Sequence, residues 1–355
     1  MSNDLTFYQH LANLLQDYPV AVATVVQISG SVPREVGAKL MVWSSEKYDQ
    51  QTDEETNKVT NAQTFGTIGG GAGEAKVLQQ AQAVLATGQK QEVIIDLSGA
   101  PNRKIQGICG GQMLVWIERW QGEEAIALTQ QILYHLNQGQ SITLGLSLRD
   151  DVEDQPNPHF PCIIDAETFP DPQVCQVILH PPPTLLIVGA GHCGIQLAKV
   201  AALSGFQVMI QDGRPQWANI QNFPDATHIF HGAIAQVIDE LAHYTQLYVA
   251  LVTRGFDHDL SALKALLQRP TPCRYIGMMG SQKRIRTALQ AVQQDTIIAE
   301  ALQALQPLHA PIGLDIGALT PEEIAVSICA ELIMVHRGGT GQPLSSVGRS
   351  VPRSL

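Results

Sequence analysis

The segment 183–214 constrains the fold of this chain more than any other. It runs from a short apolar stretch into a glycine-rich turn, a helix-like stretch, a second apolar stretch and an acidic residue. That order is typical of a βαβ unit of a Rossmann fold. The residues that define it are the three turn glycines and the acid: Gly189, Gly191, Gly194 and Asp212.

Each turn glycine has a physical role in such a unit. Gly189 allows the tight turn, Gly191 lets the backbone approach a phosphate, and Gly194 lets helix and strand pack closely. The helix that begins near His192 directs unpaired N–H groups and the positive end of its dipole at the same phosphate. Asp212 is placed to accept hydrogen bonds from two ribose hydroxyls. We therefore predict a nucleotide-type Rossmann unit; the alternative is that the glycines serve helix packing alone.

Length and the position of this motif predict two domains. The chain has 355 residues, enough for two hydrophobic cores, and the glycine motif opens its second half. We predict an N-terminal α/β domain with a mixed sheet over 1–180. A Rossmann-like parallel sheet with helices on both faces follows over 181–337, and 338–355 form a tail.

The charge balance disfavours nucleic acid as a partner. Lys and Arg number 22 against 33 Asp and Glu, and no basic cluster is present to follow a phosphate backbone. The first residues lack the basic and apolar parts of a signal peptide, and no window approaches the length of a membrane span. We therefore expect a cytoplasmic protein. Six cysteines without zinc-site spacing predict reduced thiols and no structural metal.

Three Gly-rich loops lie in the first half of the chain, at 29–37, 66–74 and 98–111, each beside a predicted strand. If those strands are neighbours, the loops converge on one concave site, and the glycines at 66–73 expose backbone donors as an anion cradle would. The alternative is that the glycines only accommodate tight turns. We read the polar stretch 44–64 as a solvated excursion. The candidate binding residues are Ser31, Arg34, Gly69, Gly70, Gly71, Glu74, Cys109, Gly110 and Gly111.

The second half alternates strands and helices, which predicts a parallel sheet with ligands at the carboxyl ends of its strands. Two of those ends are rich in Gly and polar residues, 253–258 and 277–284. The second resembles another anion site, with two cations just inside a helix, although these could equally form a solvated face. Its candidate residues are Gly277, Gly280, Ser281, Lys283 and Arg284.

Taken together, these motifs resemble the XdhC/CoxI family, the maturation factors of molybdenum hydroxylases such as xanthine dehydrogenase. The motifs occur in the family's order along nearly the whole chain: Gly30-Ser31-Val32-Pro33-Arg34, Gly66-Thr67-Ile68-Gly69-Gly70-Gly71 with Glu74, Cys109-Gly110-Gly111, Gly189-Ala190-Gly191-His192, Ile276-Gly277 with Gly280-Ser281, and Pro311 to Ala318 continuing through Pro321 to Ala325.

The resemblance implies a protein that binds molybdenum cofactor, holds it while its sulfido ligand is installed, and delivers it to an apo-hydroxylase. It also implies a homodimer that meets a cysteine desulfurase and the target enzyme. One departure is that Ala72 stands where the family often has a cysteine. Cys109 is then the remaining cradle cysteine and a possible contact of the molybdenum centre; a buried, inert Cys109 is the alternative.

Two other functions stay open from the residues alone. One is an NAD(P)-dependent oxidoreductase, in which Asp212 holds the ribose, although no residue stands out as the acid of a hydride-transfer site. The other is a nucleotide-sensing regulator without chemistry. His192 could face a ligand or make only a local contact at the start of its helix.

Overall fold

The computed structural model describes residues 3–44, 62–97, 110–148, 161–165, 174–294 and 308–346. The chain divides into two compact units, which we call unit 1 (Met1–Pro181) and unit 2 (Pro182–Leu355). The division lies inside the run of three prolines at 181–183, whose restricted backbone stiffens the joint. We describe each unit by itself.

Unit 1 carries an antiparallel five-stranded sheet with the strand order β3-β2-β1-β5-β4, and a smaller antiparallel sheet with the order β7-β6-β8. Its elements among the described residues are α1 (Asp4–Leu14), β1 (Val20–Ser29), β2 (Lys39–Ser44), β3 (Ala62–Gly66), α2 (Gly71–Thr87), β4 (Gln91–Asp96), β5 (Gln112–Trp120), α3 (Gly122–Asn137), β6 (Ile142–Ser147), β7 (Cys162–Ile164) and β8 (Val174–Leu179).

Both faces of the five-stranded sheet are covered at its central strand, β1. Val20 and Val22 of β1 point into the core formed with α1 and α3, whereas Ala21 and Ala23 point into the core formed with α2. A strand buried on both faces has no solvent side and reads as a continuous apolar run. This explains the composition of β1, which lies in the middle of the sheet.

Two expectations for unit 1 were wrong. The predicted mixed sheet is antiparallel in every described strand pair, because α2 carries the chain from β3 at one edge of the sheet to β4 at the other, where they do not pair. The predicted excursion 44–64 needs correction at its ends, because Ser44 belongs to β2 and β3 begins at Ala62, while 45–61 lie outside the described residues. Its polar side chains are accommodated because β3 is an edge strand with partly exposed faces.

Unit 2 is a Rossmann fold, as predicted. Its five strands are all parallel in the order β11-β10-β9-β12-β13. The elements are β9 (Thr184–Val188), α4 (His192–Leu203), β10 (Gln207–Gln211), β11 (Ala226–Phe230), α5 (Ile234–Glu240), β12 (Leu247–Leu251), α6 (Phe256–Leu267), β13 (Tyr275–Met278), α7 (Gln282–Gln293) and α8 (Pro321–Arg337).

Helices cover both faces of this parallel sheet. α4 and α8 pack on one face, and α5, α6 and α7 pack on the other. β9 lies in the middle of the sheet. From β9 the chain continues to β10 and β11 on one side, and it then crosses to the other side of β9 to form β12 and β13. This is the topological switch point at which such sheets bind ligands, outside the carboxyl ends of their strands.

The last helix, α8, begins as its sequence predicts. Thr320 accepts a hydrogen bond from the N–H of Glu323, whose carboxylate in turn accepts from the N–H of Thr320, and Pro321 occupies the first turn. Within the described ranges, the helices are too short or too polar to cross a lipid bilayer.

Candidate functional site

The Gly-rich loops of unit 1 lie at one edge of its five-stranded sheet. β1 ends there at Ser29, which pairs with Gln112 at the start of β5, and β4 ends there at Asp96, which pairs with the same Gln112. β3 reaches this edge at Gly66, opposite the start of β2. The predicted convergence of the loops is confirmed for their described residues, 29–38, 66–71 and 110–111. We call this region the loop edge.

The loops touch one another through glycine backbone. A Cβ atom on Gly30 would lie 3.0 Å from the carbonyl oxygen of Gly110, and one on Gly69 would lie 2.7 Å from Cγ of Pro33. A Cβ atom on Gly111 would lie against the carbonyl oxygen of Ser29. Glycine at these positions lets the three loops approach more closely than any side chain would allow.

Glu74 organises the second loop. Its Oε2 atom accepts hydrogen bonds from the Thr67 hydroxyl (2.6 Å) and from the N–H groups of Ile68 and Gly70 (3.1 Å each). Burial raises the pKa of this carboxyl, but the hydrogen bonds from Thr67, Gly70 and Ile68 outweigh burial and lower the pKa. Oε2 of Glu74 thus serves as an internal anion for the cradle, and the predicted contact of Glu74 with a ligand stays a prediction.

Other backbone donors of the cradle have no acceptor in the described structure. They are the N–H groups of Gly71, Ala72 and Gly73 in the first turn of α2, where a helix has no internal partner for them. Space beside Gly70 and Gly71 is open, with no atom within 4 Å of a built Cβ. Arg34 lies at the same place, its Cγ 3.8 Å from a Cβ built on Gly69. The cradle therefore combines backbone donors with the side chain of one arginine.

Cys109 lies outside the described residues, so its proposed contact with the molybdenum centre stays a prediction. Gly110, which follows it, is held by a hydrogen bond from its N–H to the carbonyl of Leu97 (3.0 Å). Burial raises the pKa of each of the five described thiols, and raises that of Cys273 to about 11. None of these five is therefore an activated thiolate. The described residues also hold no group of three or more His, Cys, Asp and Glu that could bind a metal ion.

A second candidate site is a cleft of about 460 Å³ in unit 2, at the carboxyl ends of the parallel strands. It is bordered by the turn after β9, the residues after β10 and β11, and the turn after β12. The lining groups that can contact a polar ligand are Gly189, Gly191, Asp212, Arg214, His231, Gly232, Thr253, Arg254 and His258.

The three turn glycines have the structural roles that the sequence predicts. Gly189 has a φ of +116°, and a Cβ atom there would lie 2.8 Å from the carbonyl oxygen of Val252 on the neighbouring strand. A Cβ atom on Gly194 would lie against the carbonyl oxygen of Gly189, so only glycine permits this helix-to-turn contact. Gly191 has no atom within 4 Å of a built Cβ, which leaves its backbone open to the cleft.

Asp212 is placed at the end of β10 as predicted, but its carboxylate is already saturated. Oδ2 accepts from the N–H of Ala190 (2.8 Å) and from Nη2 of Arg214 (2.6 Å). Oδ1 accepts from the backbone N–H of Arg214 (3.0 Å) and from its Nε (2.9 Å). Burial raises the pKa of Asp212, and the donors from Arg214 and Ala190 outweigh burial and lower it. The predicted ribose role of Asp212 does not fit this geometry.

His192 stands at the start of α4, beside the turn. Its ring packs edge-on against Trp217 with the ring centroids 6.0 Å apart, and it is not one of the residues that line the cleft. The structure therefore favours the local contact over the ligand contact for this histidine.

The predicted anion site at 277–284 needs correction. Gly277 is buried, and it pairs with His309 of a segment that continues the sheet beyond β13. A Cβ atom on Gly277 would lie against Ile312 and the Tyr275 hydroxyl, so no ligand can approach this glycine. The Ser281 side chain accepts a hydrogen bond from the N–H of Arg284 and so caps α7.

Of the two cations of that segment, Lys283 is exposed and Arg284 is engaged within the fold. Arg284 donates from Nε to Oδ2 of Asp259 (2.7 Å), and its Nη2 lies 2.5 Å from the same oxygen. Asp259 is fully buried and also accepts from the Thr253 hydroxyl (2.5 Å). Because Arg284 neutralises this buried carboxylate, and Gly280 packs beside the Arg284 side chain, the two do not form an anion site.

Sequence reasoning missed the cationic groups of the cleft as individual site residues. Arg214 follows Asp212 by two positions, and Arg254 and His258 belong to the polar turn after β12 that the sequence analysis singled out. His231 follows β11, where its Nε2 lies 2.8 Å from the carbonyl oxygen of Ala218. The signal that could have found them is that Arg214, His231 and Arg254 lie within three residues of the end of a parallel strand, and His258 lies in the first turn of the helix that follows.

Comparison with known proteins matches both halves of the chain to one family. A model of the XdhC and CoxI family matches residues 14–96, and a model of the XdhC Rossmann domain matches residues 185–332. Together the two matched ranges cover more than half of the chain.

Individual relatives agree with the family match. The chain is 25% identical over 358 aligned positions to a protein of Bacillus subtilis (strain 168) that is named as a probable subunit of xanthine dehydrogenase, covering 93% of this chain and 98% of the relative. It is 30% identical over 160 residues to the uncharacterized protein YqeB of Escherichia coli (strain K12), covering 45% of this chain and only 28% of the relative.

A solved structure matches over nearly the full length. It is the crystal structure of a protein described as a xanthine dehydrogenase from Bacillus halodurans, with a TM-score of 0.67 and 25% sequence identity. The match covers 97% of this chain and 98% of that chain, so both units of the fold are present in it.

Proposed function

Because this chain belongs to the XdhC and CoxI family, we propose that it is a maturation factor that binds molybdenum cofactor and delivers it to an apo molybdenum hydroxylase of the xanthine dehydrogenase type. The molybdenum cofactor is the cargo of the protein and gives the target enzyme its redox centre. The chain itself performs no turnover on a small substrate in this proposal.

The observation that carries the proposal is the convergence of the three Gly-rich loops at the loop edge of unit 1. Loops that meet through glycine backbone leave donors at the surface without side chains to block them, and this suits a ligand held by its phosphate. The first turn of α2 offers three N–H groups in addition. This arrangement favours binding of a large anionic ligand over a site for chemistry on a small substrate.

The residues present fit the chemistry of molybdopterin, which carries a phosphate, a flat pterin and a metal dithiolene. The N–H groups of Gly71, Ala72 and Gly73 would hold the phosphate, together with the guanidinium of Arg34, which pairs well with phosphate oxygens. Cys109, which lies outside the described residues and precedes Gly110 in the sequence, would be the candidate soft ligand for the metal. Glu74 holds the cradle in shape.

We further propose that the protein forms a homodimer and contacts two partners, a cysteine desulfurase and the target hydroxylase. Installation of the sulfido ligand requires a sulfur donor, and delivery requires contact with the apo-enzyme. The names of the Bacillus relatives, which refer to xanthine dehydrogenase, support a hydroxylase of that type as the target.

Transfer of the cofactor tests this function directly. We expect the protein, loaded with molybdenum cofactor under anaerobic conditions, to activate purified apo xanthine dehydrogenase, and an Arg34→Ala variant to activate it less because it retains less cofactor. The matched control is Arg119→Ala, which removes the same charge from the opposite end of β5, where Arg119 bonds to the carbonyl of Leu85. Equal activation by free cofactor with and without the protein would overturn the proposal.

A further inference from the structure

We propose that the cleft of unit 2 binds a nucleotide that carries a second phosphate group on the 2′-oxygen of its ribose, and that Arg214 recognises this 2′-phosphate. This nucleotide is a separate ligand from the molybdenum cofactor proposed for unit 1. The proposal concerns the position after β10, where dinucleotide-binding folds read the adenosine ribose: an acid there accepts from a free 2′-hydroxyl, and an arginine nearby accommodates a 2′-phosphate.

The first phosphate has a place at the turn after β9. Gly191 is open to the cleft, and α4, twelve residues long, begins beside it without a side-chain cap. The first N–H groups of α4, which follow Gly191, therefore have no acceptor within the helix. A nucleotide 5′-phosphate fits this position, and its ribose then extends toward the end of β10.

At the end of β10 the carboxylate cannot accept from a ribose diol. A carboxylate offers about four lone-pair positions. Donors of this chain take four: the N–H of Ala190, and the backbone N–H, Nε and Nη2 of Arg214. Asp212 is also 9% exposed, so a hydroxyl would have to displace Arg214 to reach it.

Arg214 instead presents donors at that position. A guanidinium carries five N–H donors, and the fork to Asp212 takes two of them. The side chain is 42% exposed and lines the cleft, and the guanidinium lies over the ring of Trp217 at 5.8 Å from its centroid. Asp212 and Trp217 thus fix the guanidinium, and the donors that remain suit the acceptor oxygens of a phosphate.

The charge of the cleft agrees with a ligand of high negative charge. Among the described lining residues, Asp212 is the one acid, and Arg214 pairs with it, while Arg254 adds an exposed positive charge after β12. The exposed ring of His258 adds a further hydrogen-bonding group. In a chain whose net charge is −11, this local excess of cations points to a bound anion.

Isothermal titration calorimetry of the full chain tests the proposal, with adenosine 2′,5′-bisphosphate and 5′-AMP as probes. We expect the bisphosphate to bind at least tenfold more tightly than 5′-AMP. Arg214→Ala should reduce this ratio to about one, and it should also strengthen 5′-AMP binding because Asp212 becomes free to accept from the diol. Arg286→Ala is the matched control, since Arg286 is an exposed arginine of α7 that bonds to Gln282, and it should keep the wild-type ratio.

Three outcomes would overturn the proposal. These are equal binding of both probes by the wild-type protein, an unchanged ratio in Arg214→Ala, and equal binding of adenosine 3′,5′-bisphosphate, which would make the cleft a general anion site. A thermal melt of each variant confirms that it is folded. No molybdenum cofactor enters this titration, so its result is independent of the function proposed for unit 1.

Discussion

Replacing Asp259 by alanine is expected to destabilise unit 2 more than any neighbouring acidic substitution. Asp259 is fully buried in the first turn of α6, and its carboxylate receives Nε and Nη2 of Arg284 and the hydroxyl of Thr253. The same network holds the turn after β12, since Nη2 of Arg284 also donates to Thr253 Oγ1 (2.9 Å). Asp259 therefore supports the wall of the cleft that carries Arg254.

The magnitude follows from what remains after the substitution. Removing one partner of a buried ion pair costs about 3–5 kcal/mol, because the other charge stays buried without compensation. Arg284 is 23% exposed and keeps its bonds to Thr253, which places the loss at the low end. We expect about 3 kcal/mol, which corresponds to a roughly 100-fold larger opening constant.

Hydrogen exchange of the amides in α6 and α7 measures this loss in the free energy of opening locally, without interference from unit 1. The matched control is Asp257→Ala, because Asp257 lies in the same turn and has the same charge but is exposed. That substitution should cost at most about 1 kcal/mol, through loss of a favourable interaction with the helix dipole.

A double substitution separates the ion pair from simple packing. Replacing both Asp259 and Arg284 by alanine should cost less than the sum of the two single substitutions, with a coupling of about 2 kcal/mol. A loss below about 1 kcal/mol for Asp259→Ala, or additive losses in the double variant, would refute the account of this network.

The other predictions concern two glycines of the turn after β9, and Glu74 of the cradle in unit 1. Gly194→Ala should destabilise unit 2 by roughly 2 kcal/mol in thermal or urea unfolding, because its Cβ meets the carbonyl of Gly189. Gly191→Ala, at a φ of −81°, should change the stability by no more than about 0.5 kcal/mol but weaken nucleotide binding. Similar stability losses in both variants would contradict this assignment. Because the folded pKa of Glu74 is lowered, its carboxylate stabilises the cradle above the unfolded pKa of about 4.5, and this stabilisation is lost as the pH falls below that value. Amide protection at 67–70 should therefore fall on acidification in the wild-type protein and be low and flat in Glu74→Gln, so parallel pH profiles would disprove the role of Glu74.

The sequence predicted the architecture of unit 2 well, and the reason is local. Alternation of apolar strands with helices is sufficient to indicate a parallel sheet, and the role of Gly194 depends on Gly189, five residues away in the same turn. The capping box at Thr320 is local in the same way, because it joins residues three positions apart. Such features need no knowledge of how distant segments pair.

Features that depend on distant pairing were harder to predict. β3 is polar, and it is a strand because β2 offers it an edge, which the pattern of its own residues does not indicate. The sequence around Gly277 indicates a ligand-binding glycine, but in the structure this residue pairs with His309, more than 30 residues later in the chain. The sequence likewise indicates that Arg284 could bind an anion, but in the structure this arginine forms a hydrogen bond with Asp259.

The candidate sites show a third kind of limit. Sequence reasoning located the loop edge and the cleft, because Gly-rich segments beside strands indicate both. It assigned Glu74 and Asp212 to the ligand, yet Oε2 of Glu74 and both oxygens of Asp212 accept hydrogen bonds from donors of their own chain. Whether an acid faces a ligand or organises a loop is decided by side-chain geometry over a few ångströms, and the residue type is the same in both cases.

Equilibrium binding of molybdenum cofactor to the purified protein under anaerobic conditions tests the central claim most directly. The account predicts tight binding by the wild-type protein and by Arg119→Ala. Arg34→Ala should bind roughly 10- to 100-fold more weakly, the equivalent of one charge-assisted hydrogen bond of about 1.5–3 kcal/mol. Absence of cofactor binding by the wild-type protein, or equal affinity in Arg34→Ala, would contradict the assignment of the loop edge as the cofactor site.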